Sequence, residues 1–139
     1  MSLKRLFAVD LGASGGKCFA GTFDGASFQM SEVHRFAHEG VTFHIADRAG
    51  EVTERTFWND ILIYQNIITG LQAYRRDVSD HLDAIGIDTW GADGRFLSAD
   101  GDMLGNVYCY RDHRLDNMIE VVKARMDGQR IYEITGNHF

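Results

Sequence analysis

Hydrophobic and polar positions change period along this chain. Residues 5–10, Arg-Leu-Phe-Ala-Val-Asp, read as a mostly buried strand ending on a carboxylate; residues 16–23 alternate and pair back on it through a glycine turn; residues 27–36 resume alternation after the turn signal Asp24-Gly25. Together they predict a three-stranded antiparallel meander. From His38 to Glu54 the alternation is weak and polar residues abound, which predicts a loop or an irregular edge hairpin.

At Phe57 the spacing turns helical and stays so to Arg76. Trp58, Ile61, Leu62, Tyr64, Ile67, Ile68, Leu71 and Tyr74 recur at threes and fours, with Asn59 as the cap and Asp60 in the first turn. Gly70 in this helix costs about 1 kcal/mol relative to alanine, a sign of close packing against a neighbouring backbone. A short apolar run then ends at Asp88 and turns through Gly91 and Gly94, which predicts a buried strand feeding a loop. Residues 95–104 fit a short strand with a turn at Asp100-Gly101, and residues 107–114 a further strand or loop. Leu115, Met118, Ile119, Val122 and Met126 predict a helix within Asp112–Met126, stopped by Gly128, and the ending Ile131 to Phe139 carries strand-like residues. This order predicts an α/β fold: a mixed sheet with an N-terminal antiparallel meander and packed helices.

Composition narrows the function classes. With 139 residues the chain suits a single compact domain. Its 14 basic and 20 acidic residues give a net charge of −6 and form no basic stripe, which argues against nucleic acid as a partner. No apolar stretch approaches the ~18 residues of a membrane span, and the N-terminus meets Asp10 before any signal-peptide core forms, so the expected location is cytoplasmic with no membrane partner. Cys18 and Cys109 belong to no C-x-x-C pair, which fits a reducing compartment and argues against a zinc knuckle.

The stretch Ala8 to Lys17 carries the densest chemistry: an acid, three glycines, a serine and a lysine. A Walker A loop would need glycine at position 11 and Ser or Thr at position 18, where Leu11 and Cys18 stand, and the spacing of Gly12, Gly15 and Gly16 fits no dinucleotide fingerprint. A glycine-rich hairpin can nevertheless hold phosphate, because its amides approach oxyanions closely and form a concavity. Asp10 would then face a hydrated magnesium ion and Lys17 would add a point charge. The alternative is an ordinary hairpin whose glycines serve positive φ and whose lysine is solvated.

With Ala-Val-Asp-Leu-Gly-Ala-Ser-Gly-Gly-Lys at 8–17, Gly-Ile-Asp-Thr-Trp-Gly-Ala-Asp at 86–93 and Tyr-Arg-Asp-His-Arg at 110–114, the sequence resembles the rhamnulokinase-like branch of the FGGY carbohydrate kinases. Supporting similarity lies in Val33 to Phe36, Trp58, Gly70-Leu71 and Ile131 to Phe139. The resemblance implies a ribonuclease H-like fold of the actin/hexokinase ATPase type. Family members are much longer and have two such domains around a cleft, so residues 1–139 would be the N-terminal actin-like domain or part of it, with the second kinase domain absent. It implies ATP and Mg2+ as cofactors and a ketose such as rhamnulose as substrate. Ala13, Ser14, Gly15, Gly16 and Lys17 would take the ATP phosphates and Asp10 the magnesium, through water. Trp90, Gly91, Asp93 and Tyr110 would contact the sugar. The family's catalytic aspartate and adenine pocket lie in later segments, so the fragment alone is expected to be inactive and to need the missing C-terminal half of its parent. Two departures stand out: Gly15 and Lys17 replace the family's Ser and Arg, and Gly94-Arg95 follow Asp93 where an aromatic and an aliphatic residue are usual.

Other constellations compete. His34, His38 and His44 match no zinc spacing and read as surface or edge-strand residues. Asp88 and Asp93, five apart around a turn, read as structural or substrate-orienting rather than as a glycosidase dyad. Arg111, Asp112 and Arg114 could be a solvated charge cluster, and Trp90 either core or a stacking platform. The alternative function is a non-catalytic actin-like module for sugar or nucleotide binding, regulation or assembly. An exposed apolar face left by the missing partner would favour self-association.

Overall fold

The computed structural model describes residues 2–138. The elements in chain order are β1 (Lys4–Gly12), β2 (Gly15–Phe23), β3 (Phe28–Ala37), β4 (Gly40–Ala46), β5 (Val52–Trp58), α1 (Asp60–Asp77), β6 (Ala84–Asp88), β7 (Phe96–Leu97), β8 (Met103–Leu104), a 3-10 turn (His113–Leu115), α2 (Met118–Lys123) and α3 (Gly128–Thr135). The predicted meander β1–β2–β3 is antiparallel, and β6 adds parallel to the free side of β1, giving the mixed order β3-β2-β1-β6.

Alternation along the strands decides what α1 covers. Phe7 lies opposite Ala20 and Val9 opposite Cys18, so all four point to one face and are buried there beneath Ile67, Leu71 and Tyr74. The Phe7 and Tyr74 rings meet edge to face at 5.9 Å. Gly70 does mark a close approach, but to a side chain and not to a backbone: an added Cβ would lie 2.5 Å from Cys18 Sγ and 3.3 Å from the Phe7 ring. Burial pushes the Cys18 thiol pKa up, so it behaves as a small hydrophobe.

The helix start is as predicted, since the Asn59 side chain accepts from the Leu62 amide at 3.1 Å. Phe57 and Trp58, however, end strand β5 rather than open the helix. The reason is tertiary: the Trp58 amide donates to Val107 O at 2.8 Å and the Cys109 amide to Thr56 O at 2.9 Å, so segment 107–109 holds β5 extended up to the cap. The segment read as a loop or irregular hairpin is a regular one, β4 pairing with β5 from Gly40 opposite Trp58 to Ala46 opposite Val52.

The last third departs further from the pattern. The helix expected over Asp112–Met126 shrinks to α2, because the Asp112 side chain caps a 3-10 turn at Arg114 and Asn117 takes a left-handed φ of 63°. Gly128 opens α3 instead of stopping a helix, and the strand-like ending is helical to Thr135. Local capping outweighs β propensity there: the Asp127 carboxylate accepts from the Gln129 and Arg130 amides, and Gly136 closes the helix at φ 73°. Phe139 lies outside the described residues. Helix α1 packs on the sheet, whereas α2 and α3 bury no residue.

Strand β6 exists where expected but is exposed rather than buried, with Ile85 and Ile87 each more than half accessible. Among the described residues no strand pairs with its outer edge. The sheet face opposite α1, with Leu6, Ala8, Phe19, Phe28 and Met30, is likewise uncovered and forms an apolar trough. The entry of β6 is fixed by Asp83, whose carboxylate accepts from the Arg5 amide at 2.7 Å and from Lys4 Nζ at 2.9 Å while its own amide donates to Arg5 O.

Two predictions follow from these contacts. Gly70→Ala should lower the unfolding free energy by about 1–3 kcal/mol in urea denaturation, because overpacking against Cys18 outweighs the gain in helix propensity; an unchanged midpoint would show that the helix shifts freely. The Arg5 amide, with Lys4, holds the Asp83 carboxyl down at about 2 against an ordinary 3.8. The folded pKa lies below the unfolded one, so this stabilisation is present above pH 3.8 and is lost as the pH falls towards 2. Thermal melts over that window should flatten in Asp83→Asn.

Candidate functional site

At the end of the β1–β2 hairpin, Gly12 pairs with Gly15 and only Ala13 and Ser14 lie between them. The acid, glycines and lysine therefore stand in a strand–turn–strand. None of Gly12, Gly15 and Gly16 takes a positive φ, so the alternative in which they serve left-handed backbone does not hold. Two of them serve close approach to β3 instead: a Cβ on Gly15 would lie 2.6 Å from Phe36 O, and one on Gly16 would enter the Phe36 ring. Beside the turn lies an open hollow of about 550 Å3, lined by Asp10, Ser14, Gly15, Gly16, Lys17 and Arg35 among others.

Register arranges the charges of this hollow. Asp88 on β6 stands opposite Asp10 on β1, Asp10 opposite Lys17 on β2, and Lys17 opposite Arg35 on β3. The side-chain period of two puts all four on the face away from α1. A row two acids and two bases wide thus crosses the whole sheet. Arg35 is also bound to Glu32, with Nε–Oε1 at 3.0 Å and Nη2–Oε2 at 2.6 Å. That hydrogen bonding, with the field of Lys17 added, holds the Glu32 carboxyl below its ordinary range.

His38 joins the turn to a cluster of aromatic rings. Its backbone amide donates to Ser14 O at 3.2 Å, and its Nε2 lies 2.9 Å from Gly12 O. The ring stacks on Trp90 at 5.6 Å and meets Trp58 edge-on at 5.4 Å. It is 2% exposed, so His38 is not the surface histidine expected. His44, in contrast, lies on β4 beside Glu54 at 3.4 Å, and His34 stacks on Phe36, so the three histidines do not converge. Among the described residues no group of metal-ligating side chains of three or more gathers.

The residues expected at the sugar divide. Trp90 packs 4.7 Å from Trp58, and Asp93 Oδ2 accepts from both indoles, Trp58 Nε1 at 2.7 Å and Trp90 Nε1 at 2.8 Å. Tyr110 joins the same cluster at 6.0 Å from Trp58, with the Arg111 guanidinium 5.3 Å from its ring centroid. Gly91 is exposed in the open loop between. Asp93 is committed to the tryptophans while Asp88 ends β6 in the charge row, so the two do not form a carboxylate pair. Arg95 turns to Asp60 in the first turn of α1 and donates to Gly105 O at 2.7 Å, clipping the β7–β8 hairpin to the helix.

Asp112 is not part of a solvated charge cluster: it is 2% exposed. Its carboxylate accepts from the Thr56 amide at 2.6 Å and the Arg114 amide at 2.9 Å, tying the Tyr108–Leu115 segment to β5. Burial opposes its ionisation, yet these hydrogen bonds and the Arg114 guanidinium hold its pKa below the ordinary value.

Sequence reasoning missed His38, Arg35 and Trp58 as parts of this region. Arg35 was findable once β2 and β3 were paired in register; His38 and Trp58 needed the tertiary contact.

No family model matches the sequence. In structure the chain is similar to a gluconate kinase from Lactobacillus acidophilus, with TM-score 0.66 and 17% identity over 95% of this chain and 25% of that one. It is also similar to a xylulose kinase from the same organism, with TM-score 0.62 and 13% identity over 94% of this chain and 24% of that one. The chain therefore shares its fold with about a quarter of each of these two kinases. In sequence the chain is similar to curated rhamnulokinases. It is 35% identical to a rhamnulokinase of Pectobacterium atrosepticum over 141 residues and 33% identical to one of Bacteroides thetaiotaomicron over 135. The chain spans about a quarter of the length of these relatives, 26% and 25%. No helix among the described residues is long and apolar enough to cross a membrane.

The double acceptor role of Asp93 carries a stability prediction. Asp93→Ala leaves two indole N–H groups without their partner and should cost about 2–4 kcal/mol, read by denaturation, with a shift in tryptophan emission. A variant as stable as the parent protein would mean that water replaces the carboxylate.

Proposed function

We propose that this chain is the N-terminal part of an ATP-dependent sugar kinase that transfers the γ-phosphate of ATP to a hydroxyl of a ketose such as rhamnulose or a related sugar. Residues 1–139 form its actin-like first domain or part of one, with the second kinase domain outside the chain. The observation that carries this reading is the row Asp88–Asp10–Lys17–Arg35 beside the glycine turn, acids at one end and cations at the other. Phosphoryl transfer needs this kind of positioning and charge neutralisation more than covalent chemistry from the protein.

In this reading the amides of Ala13, Ser14, Gly15 and Gly16 and the Lys17 ammonium hold the phosphates. Asp10 holds magnesium through water, and the hard oxygen donors of Asp10 and Asp88, both exposed, fit an ion that keeps most of its hydration. Bound there, the metal supplies charge neutralisation for the phosphate oxygens. Trp90, Gly91, Asp93 and Tyr110 wall the sugar, with Asp93 acting mainly by fixing Trp90. The base that deprotonates the sugar hydroxyl and the adenine pocket belong to the rest of the parent kinase, which acts in the cytoplasm without nucleic acid or membrane partners.

Two measurements test this. Calorimetric titration of magnesium-ADP should show binding that Lys17→Ala weakens about ten-fold or more, the equivalent of one charged hydrogen bond of about 1.5–3 kcal/mol. A coupled ADP-release assay with rhamnulose and other ketoses should show no turnover by the chain alone, and turnover above background would overturn the assignment of the base to a later segment. A second reading, self-association of the chain, is supported by the uncovered apolar trough on the sheet; a monomer in light scattering counts against it.

A further inference from the structure

We infer that His38 is a positioning residue: it locks the backbone of the Ala13–Ser14 turn to the Trp58–Trp90–Asp93 cluster, and so sets the aim of the turn amides. Gly12 O and Ser14 O flank the turn, and both are engaged by one residue, Gly12 O by the His38 ring and Ser14 O by the His38 amide. A carbonyl oxygen only accepts, so Nε2 carries the proton and donates. With both carbonyls held, the peptide planes that carry the Ala13 and Gly15 N–H groups are fixed in orientation. The ring is held in place by packing against both Trp90 and Trp58, whose indoles touch each other and are tied to a single carboxylate oxygen of Asp93. Nδ1 is buried and has no hydrogen-bond partner among the described residues, so Gly12 O is the one polar contact that orients the imidazole. A ring kept only to fill space would be better served by phenylalanine, which carries no orphaned nitrogen.

The link matters for function because the nucleotide end and the sugar end of the proposed site then share one rigid connection. Only this last step rests on the kinase reading; the positioning itself is a property of the chain.

The test separates the two. In the 139-residue chain, nitrogen-15 spectra should show His38 as the Nε2–H tautomer with a slowly exchanging ring proton; the Nδ1–H tautomer or a freely exchanging proton overturns the inference without any variant being made. In His38→Phe, which keeps ring volume and stacking, the amides of residues 13–16 should exchange at least ten-fold faster while the Trp58 and Trp90 indole signals stay in place. His38→Gln, which restores an N–H donor, should recover much of the protection. Turn amides unmoved in the folded phenylalanine variant would reduce His38 to core packing and overturn the inference. Magnesium-ADP affinity is then measured on the same three proteins. If the parent chain binds it, a five-fold or greater loss in His38→Phe with recovery in His38→Gln supports the functional step, and equal affinities in all three refute that step. If the unsubstituted chain binds no magnesium-ADP, the assignment of the phosphates to this turn fails while the exchange data still decide the role of His38.

Discussion

The close approach of β3 to the glycine turn is the constraint on which the rest of the molecule depends. At Gly15 a side chain would strike the backbone of Phe36, and at Gly16 its ring, so the absence of two Cβ atoms lets β2 and β3 run together to the end of the hairpin. From that contact the register follows, and from the register follow the charge row on one face and the buried Phe7, Val9, Cys18 and Ala20 on the other. The same approach delivers His38, two residues past Phe36, under the turn. Glycine here is a spacing device, and any binding of oxyanions by the turn is built on that spacing.

Two faces of one sheet serve two purposes. The α1 face is a packed core of modest size, closed by a single helix whose Gly70 lets it settle onto Cys18. The opposite face carries the charge row at one end of the strands and an uncovered apolar trough further along. Among the described residues the β6 edge is unpaired and the apolar face opposite α1 is uncovered, so the core rests on the packing of α1 against the other face.

Much of the first half was legible because its signals are local. Strand alternation with Asp24-Gly25 gave the meander, and the Asn59 cap and the threes-and-fours spacing gave α1. The Asp10 to Lys17 stretch was legible as a hairpin, though not the reason for its glycines. The second half misled for a common reason. Phe57 and Trp58 fit a helical face, yet the backbone of 107–109 pairs with them and keeps them extended. Ile131 to Thr135 look like a strand, but no neighbouring strand stands beside them among the described residues, so the Asp127 cap decides and the segment is helical. A strand is completed only by a partner, which propensity does not supply.

The sequence by itself determined the meander, the capped helix and the residue types at the turn, and its short motifs in order carried the resemblance to sugar kinases, since each of these depends on near neighbours in the chain. Tertiary structure alone decided that Asp88, Asp10, Lys17 and Arg35 stand in one row, that His38 lies under the turn, and that Asp93 and Asp112 are committed internal acceptors. Those facts join residues distant in sequence through sheet register and ring packing, and register is fixed by which side chains fit together in space rather than by the order in which they occur.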